Sequence, residues 1–100
     1  MSDNIFDLSG KVAVITGSTK GIGKAIAEEM SKAGAKVVIS SRKPDPCNAV
    51  AAEIKAAGGE AIAVPCHIGD KEQCRNLIDT TMDKWGQIDI LVCNAAANPF

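Results

Sequence analysis

The chain has 100 residues, 46% of them apolar, and a formal net charge of -1. That balance excludes a disordered segment, which is too polar to form a core, and a polybasic nucleic-acid binder. No apolar run reaches the roughly 20 residues of a membrane-spanning helix, and residues 1–11 are polar and acidic where a secretory leader has a basic start and an apolar centre. A globular cytoplasmic protein without membrane or nucleic-acid partners is expected.

Residues 11–16 form a short apolar run that reads as a buried strand. The stretch TGSTKGIG follows at once, Thr16 to Gly23. Glycine ends strands and caps helices for structural reasons in any protein, so the spacing G-x-x-x-G-x-G gains meaning only from its context. After Gly21 the apolar residues Ile22, Ile26, Met30 and Ala33 recur at helical spacing, with Lys24, Glu28, Glu29 and Lys32 on the other face. Gly34 stops this helix, and residues 35–41, AKVVISS, supply a second strand. In such a strand–turn–helix–strand unit Gly17 permits a tight turn, and Gly21 and Gly23 allow close approach of backbone. The helix start then offers unpaired N–H groups to a pyrophosphate.

Residues 41–46, SRKPDP, read as a turn, because Pro44 and Pro46 exclude a helix interior, and Asp45 is placed to cap a second helix. That helix is expected over residues 47–57, with Cys47, Val50, Ala51, Ile54 and Ala57 on one side and Gly58-Gly59 ending it. A third strand, residues 60–66, carries Pro65 near its end, which suits an edge or terminal position. Gly69-Asp70 opens a third helix with the apolar stripe Cys74, Leu77, Ile78, Met82 and Trp85, closed by Gly86. Residues 88–94, IDILVCN, are the fourth strand. The four cysteines, at 47, 66, 74 and 93, lack the close pairing of a zinc or redox motif and read as buried thiols, so no metal site is expected.

This alternation predicts an α/β fold of the Rossmann type, a doubly wound parallel sheet with strand order 3-2-1-4 and right-handed crossovers. Residues 94–100 come after the fourth strand with no further helix, so residues 1–100 read as the N-terminal part of one dinucleotide-binding domain. Ligands of such sheets lie beyond the carboxyl ends of the strands, where the order reverses. That point gathers TGSTKGIG, SSRK after the second strand and CNAAANP after the fourth, with CHIG beside them.

The P-loop pattern of mononucleotide sites is missing, since Gly23-Lys24 is followed by Ala25 rather than by a hydroxyl residue. After the second strand come Ser40, Ser41, Arg42 and Lys43, with no acid before Asp45. An acid there bonds a free ribose hydroxyl, whereas a ribose 2'-phosphate needs positive charge. Arg42 can make a forked pair with that phosphate, helped by Ser41 and by the charge of Lys20 or Lys43, or the segment is a solvated basic turn.

With these motifs the chain resembles the short-chain dehydrogenase/reductase family along its whole length, from GKVAVITGSTKGIGKAIA through VVISSRK to GQIDILVCNAAANPF. TGSTKGIG is similar to the family's T-G-x-x-x-G-x-G cofactor motif and CNAA to its N-N-A-G motif. The resemblance implies a cofactor site formed by Gly17, Ser18, Thr19, Lys20, Gly21, Ile22 and Gly23, by Ser41, Arg42 and Lys43, and by Asn94, Ala95 and Ala96. His67 and Ile68 occupy the position where many members place an acid near the adenine, and His67 reads either as a cofactor contact or as an ordinary loop residue. Cys93 and Ala96 stand where asparagine and glycine are usual.

SSRK resembles members that use NADP(H) rather than NAD(H). NAAANPF and CHIG are similar to a cytosolic or peroxisomal carbonyl-reductase branch acting on ketones, aldehydes or retinoids, which implies hydride transfer to a ketone or aldehyde or from a secondary alcohol. The family's catalytic tyrosine, lysine and serine lie beyond the fourth strand, and the chain has no tyrosine. No catalytic residue is therefore assigned, and the 100-residue segment alone is expected to be inactive. The resemblance further implies a homo-tetramer or homo-dimer. The alternatives are a catalytically inactive dinucleotide-binding or regulatory protein and an interaction module with an empty cleft.

Overall fold

The computed structural model describes residues 7–94. Its elements are β1 (Val12–Thr16), α1 (Gly21–Lys32), β2 (Lys36–Ser40), α2 (Pro44–Ala56), β3 (Glu60–Ala63), α3 (Lys71–Trp85) and β4 (Ile90–Cys93). All strand pairs are parallel, in the order β3-β2-β1-β4, the order expected from sequence. Val12 to Ile15 and Val37 to Ile39 are wholly buried, which is why the two central strands read as unbroken apolar runs rather than alternating ones. Each buried Val or Ile side chain contributes about 1.5–3 kcal/mol relative to exposure.

The register divides these residues between two cores. Ala13, Ile15, Val37, Ile39 and Ala61 pack with Ala27 of α1 and with Val50, Ala51 and Ile54 of α2. Val14, Val38, Val64 and Cys66 face the other way and pack with Leu77 of α3. Helices thus cover both faces of the sheet, and among the described residues none is long and apolar enough to cross a membrane.

Local differences from expectation have identifiable causes. In α1 the buried positions are Gly23 and Ala27, and Ile22 stands 73% exposed. The helix turns its smallest residues to the sheet because the backbone of the preceding turn lies against Gly23. Helix α2 starts at Pro44, three residues before the expected Cys47, with Lys43 at the N-cap and no capping side chain. The prolines fit because first-turn N–H groups have no partner within the helix and the ring presets φ, so Asp45 joins the first turn instead of capping it.

The stripe of α3 is rotated. Leu77 and Thr81 are buried, while Ile78 and Met82 are partly exposed, as is Leu91 of β4. Thr81 tolerates burial because its hydroxyl donates to the Leu77 carbonyl at 2.8 Å. Strand β3 ends at Ala63, yet the N–H groups of Val64 and Cys66 still donate to the carbonyls of Ile39 (2.9 Å) and Ser41 (2.8 Å). Pro65 falls between them, where its missing N–H interrupts neither bond. At the other end of the strands, Asp89 and Val12 are tied twice: the Val12 N–H donates to the Asp89 carboxylate at 2.8 Å and the Asp89 N–H to the Val12 carbonyl at 2.9 Å. Gln87 also donates to that carboxylate, at 2.7 Å. These bonds, the Val12 N–H first, hold the Asp89 carboxyl below the usual carboxylate range.

Candidate functional site

The carboxyl ends of β1 and β4 meet at a compact backbone crossing. Gly17 has φ +63, and a β-carbon there would strike the carbonyl oxygen of Asn94. A β-carbon on Gly23 would strike the carbonyl oxygen of Gly17 and lie 2.6 Å from the Asn94 amide nitrogen. Asn94 closes the crossing: its Nδ2 donates to the Gly17 carbonyl at 3.2 Å and its backbone N–H to Thr16 Oγ1 at 3.1 Å. Thr16 Oγ1 in turn donates to the Val92 carbonyl at 3.4 Å. Sequence reasoning misses Thr16, although a hydroxyl ending an apolar strand just before glycine is a readable signal.

Gly21 differs from these two. Its φ is +62, in the region that favours glycine, but no atom lies within 4 Å of the β-carbon position. The close approach expected at both Gly21 and Gly23 is therefore divided. Gly23 is small because protein backbone abuts it, and Gly21 fronts open space.

Behind Gly21 the start of α1 is left uncapped. Lys20 at the N-cap is extended (φ -160, ψ 167), makes no side-chain cap bond, and no acid lies in the first turn. The first N–H groups thus point outward without a side-chain acceptor, at the positive end of the helix dipole. Such a terminus accepts an anion, and the missing side chain at Gly21 leaves room for one.

The other candidate residues take different places. Ser18 is fully buried: Oγ donates to the Ile15 carbonyl at 2.8 Å and accepts the Ser40 N–H at 2.9 Å, while the Ser18 N–H donates to the Ser40 carbonyl at 3.1 Å. Its hydroxyl pins the turn to the end of β2, so Ser18 holds the turn in position. Thr19 is half-buried, and Lys20 and Ile22 are exposed at the opening. Ser41 Oγ lies 3.4 Å from the Lys43 carbonyl and 3.2 Å from Cys47 Sγ. Arg42 and Lys43 are exposed and, among the described residues, form no ion pair. Lys24 points away to Glu53 of α2, at 3.3 Å.

In the loop after β3, the His67 N–H donates to Gln73 Oε1 at 2.7 Å and His67 Nδ1 accepts the Gly69 N–H at 3.0 Å. The accepting role of Nδ1 assigns the proton of the neutral ring to Nε2. Ile68 is 50% exposed beside it. Ala95 and Ala96 lie outside the described residues. A cavity of about 530 Å³ opens between the C-terminal halves of α1 and α2, lined by Glu28, Ser31, Glu53 and Gly59 and by none of the residues of the glycine turn.

Comparison with known proteins gives this geometry a family. A family profile described as short chain dehydrogenase matches residues 11–100. Tropinone reductase-like 3 of Erythroxylum coca is 52% identical over 90 residues, covering 90% of this chain and 35% of that protein. The short-chain dehydrogenase/reductase SDRA of Arabidopsis thaliana is 48% identical over 92 residues, covering 92% of this chain and 36% of that protein. Among solved structures, a hydroxysteroid dehydrogenase from Escherichia coli superposes with a TM-score of 0.91 at 42% identity, covering 96% of this chain and 41% of the other. A 7α-hydroxysteroid dehydrogenase complexed with NADH and 7-oxo glycochenodeoxycholic acid gives a TM-score of 0.85 at 41% identity, over 91% of this chain and 36% of the other. The chain spans little more than a third of the length of the curated relatives it matches. With the family profile covering β1 to the last residue and the glycine turn, α1 and Asn94 joined in one crossing, this chain belongs to the short chain dehydrogenase family.

Proposed function

We propose that the full-length protein is an oxidoreductase that transfers a hydride between NADP(H) and a ketone, aldehyde or secondary alcohol, and that residues 1–100 are the cofactor-binding part of its single Rossmann domain. The observation that carries this reading is the uncapped start of α1 behind an unobstructed Gly21. A bound dinucleotide fits there through its pyrophosphate, which accepts the outward N–H groups, and its nicotinamide supplies or receives the hydride. Thr19 and Lys20 border the phosphates. Asn94 maintains the crossing that positions the turn, and Ser18 fixes the turn to β2.

The choice of NADP(H) over NAD(H) rests on Arg42 and Lys43, two exposed cations after β2 with no ion-pair partner among the described residues and no acid before Asp45. A structural relative was solved with NADH, and in this chain the side chains after β2 are the ones placed to choose between the two cofactors. A charge-assisted contact from Arg42 is worth about 1.5–3 kcal/mol, or roughly ten- to a hundredfold in affinity. Isothermal titration of the full-length protein and of Arg42→Ala with NADPH and NADH tests this. The wild type should prefer NADPH, and the variant should lose most of the preference. An indifferent or NADH-preferring wild type refutes the selectivity, and a preference untouched by the substitution moves it to Lys20 or Lys43. Consumption of NADPH with a panel of ketones and aldehydes tests hydride transfer itself, and its absence beside intact binding would leave an inactive dinucleotide-binding protein.

A further inference from the structure

The cysteines show no pairing motif in the sequence, yet the fold brings two of them together. Cys66 ends the β3 ladder and is buried, and Cys74 lies in the first turn of α3 and is half-buried. Their Sγ atoms are 3.8 Å apart. The Cys74 side chain packs against the core on the Cys66 side of the sheet, and its thiol otherwise makes one weak hydrogen bond among the described residues, to the Ile68 carbonyl at 3.3 Å. We propose that Cys66 and Cys74 form an oxidisable dithiol that closes to an intramolecular disulfide when hydrogen peroxide is the oxidant. The sulfurs must approach to about 2.05 Å, a closing movement of under about 2 Å.

The two thiols have distinct parts. Cys74, the one reached by solvent, attacks first: its thiolate takes one peroxide oxygen, the O–O bond breaks, and a sulfenic acid and hydroxide result. Cys66 then attacks the sulfenic sulfur. The S–S bond forms, the sulfenic oxygen leaves as hydroxide, and the Cys66 proton converts it to water. In sum two thiols lose two electrons and two protons, and one peroxide becomes two waters. Burial pushes the Cys66 thiol up to about 11, with the Cys74 hydrogen bond and charge and the Asp70 charge adding to it, so Cys66 stays protonated until a sulfenic sulfur is beside it. Cys47, buried against Ser41, and Cys93, exposed on β4, have no sulfur neighbour among the described residues and serve as internal controls.

This inference is independent of which cofactor binds. The full-length protein is treated with hydrogen peroxide, denatured, alkylated with iodoacetamide and digested with trypsin without reductant. Trypsin cuts after Lys55, Lys71 and Arg75, placing Cys66 in peptide 56–71 and Cys74 in peptide 72–75. The expected product is these two peptides joined, lighter than their sum by two hydrogen atoms and separated again by dithiothreitol, with neither Cys47 nor Cys93 in an intramolecular cross-link. In Cys74→Ser, Cys66 should remain alkylatable after the same treatment. Recovery of peptides 56–71 and 72–75 separately alkylated, as in untreated protein, overturns the proposal, and so does conversion of Cys74 to a sulfinic acid with Cys66 left as a free thiol.

Discussion

Each of the three helices follows a strand and a loop, and the first turns of α1 and α3 are provisioned in opposite ways. At α3, Asp70 Oδ1 accepts the N–H groups of Glu72 (2.9 Å) and Gln73 (3.2 Å), while Gln73 reaches back to the other Asp70 oxygen and to the His67 N–H. That terminus satisfies itself. At α1, Lys20 offers no acceptor, the first turn holds no acid, and glycine occupies positions 21 and 23. Leaving a helix uncapped costs about 1 kcal/mol, which the crossing of Gly17, Gly23 and Asn94 offsets by binding the loop from behind. A closed terminus builds the fold, and an open one held rigidly in place is available to a ligand.

The strongest way to break this contrast is at Gly23. Gly23→Ala sets a β-carbon against the Gly17 carbonyl oxygen, a backbone atom that cannot swing aside, and should cost about 1–3 kcal/mol or more. Thermal unfolding of the full-length variant, with and without dinucleotide, should show a lower midpoint and a lost cofactor-induced rise. An unchanged pair of midpoints would mean the crossing does not hold the turn.

Gly21 should separate binding from stability. Gly21→Ala and Gly21→Asp both incur the left-handed backbone cost of about 1–2 kcal/mol, and in both the β-carbon enters open space. Only the aspartate adds repulsion toward a pyrophosphate, so titration should show it binding dinucleotide at least tenfold more weakly than the alanine variant. Equal affinities would remove the anion from the start of α1.

At the closed terminus the pattern reverses. Asp70→Ala should lower stability by about 1 kcal/mol in denaturant unfolding and leave dinucleotide affinity unchanged. A loss of affinity would show that the two termini are coupled.

The smallest effect is expected at Asp89, where a carboxylate accepts a backbone N–H at a strand start instead of a helix start. Its folded pKa is depressed, so it contributes stability above the unfolded value of about 3.9, and that contribution is lost as pH falls through the folded value. Asp89→Asn should therefore flatten the fall in stability below about pH 4. A profile parallel to the wild type there would discount the Val12 bond.

Strand order and the alternation of elements were legible because the central strands are apolar on both faces and glycines punctuate the helices. The glycine turn was legible as a pattern, while the division of labour within it was not. Ser18 looks like any small polar residue of a phosphate loop, and only the approach of β2 shows its hydroxyl consumed by Ile15 and Ser40. Thr81 reads as polar, and its bond to the Leu77 carbonyl, which admits it to the core and rotates the α3 stripe, leaves no mark in hydropathy. The start of α2 is displaced from its expected position because proline breaks a helix interior but suits its first turn, and sequence alone does not tell the two apart.

Pro65 has a consequence for association. Val64 and Cys66 turn their N–H groups inward to β2, so the backbone nitrogen of Pro65 faces the outer side of the sheet, where an incoming strand would seek a donor. Beyond Ala63 that margin therefore presents a gap in its row of donors, and β3 itself is only four residues long. Short length and proline are the devices by which proteins keep such margins from templating strands of other molecules. Replacing Pro65 with a β-branched residue would restore the donor and with it a surface for self-assembly into extended sheets.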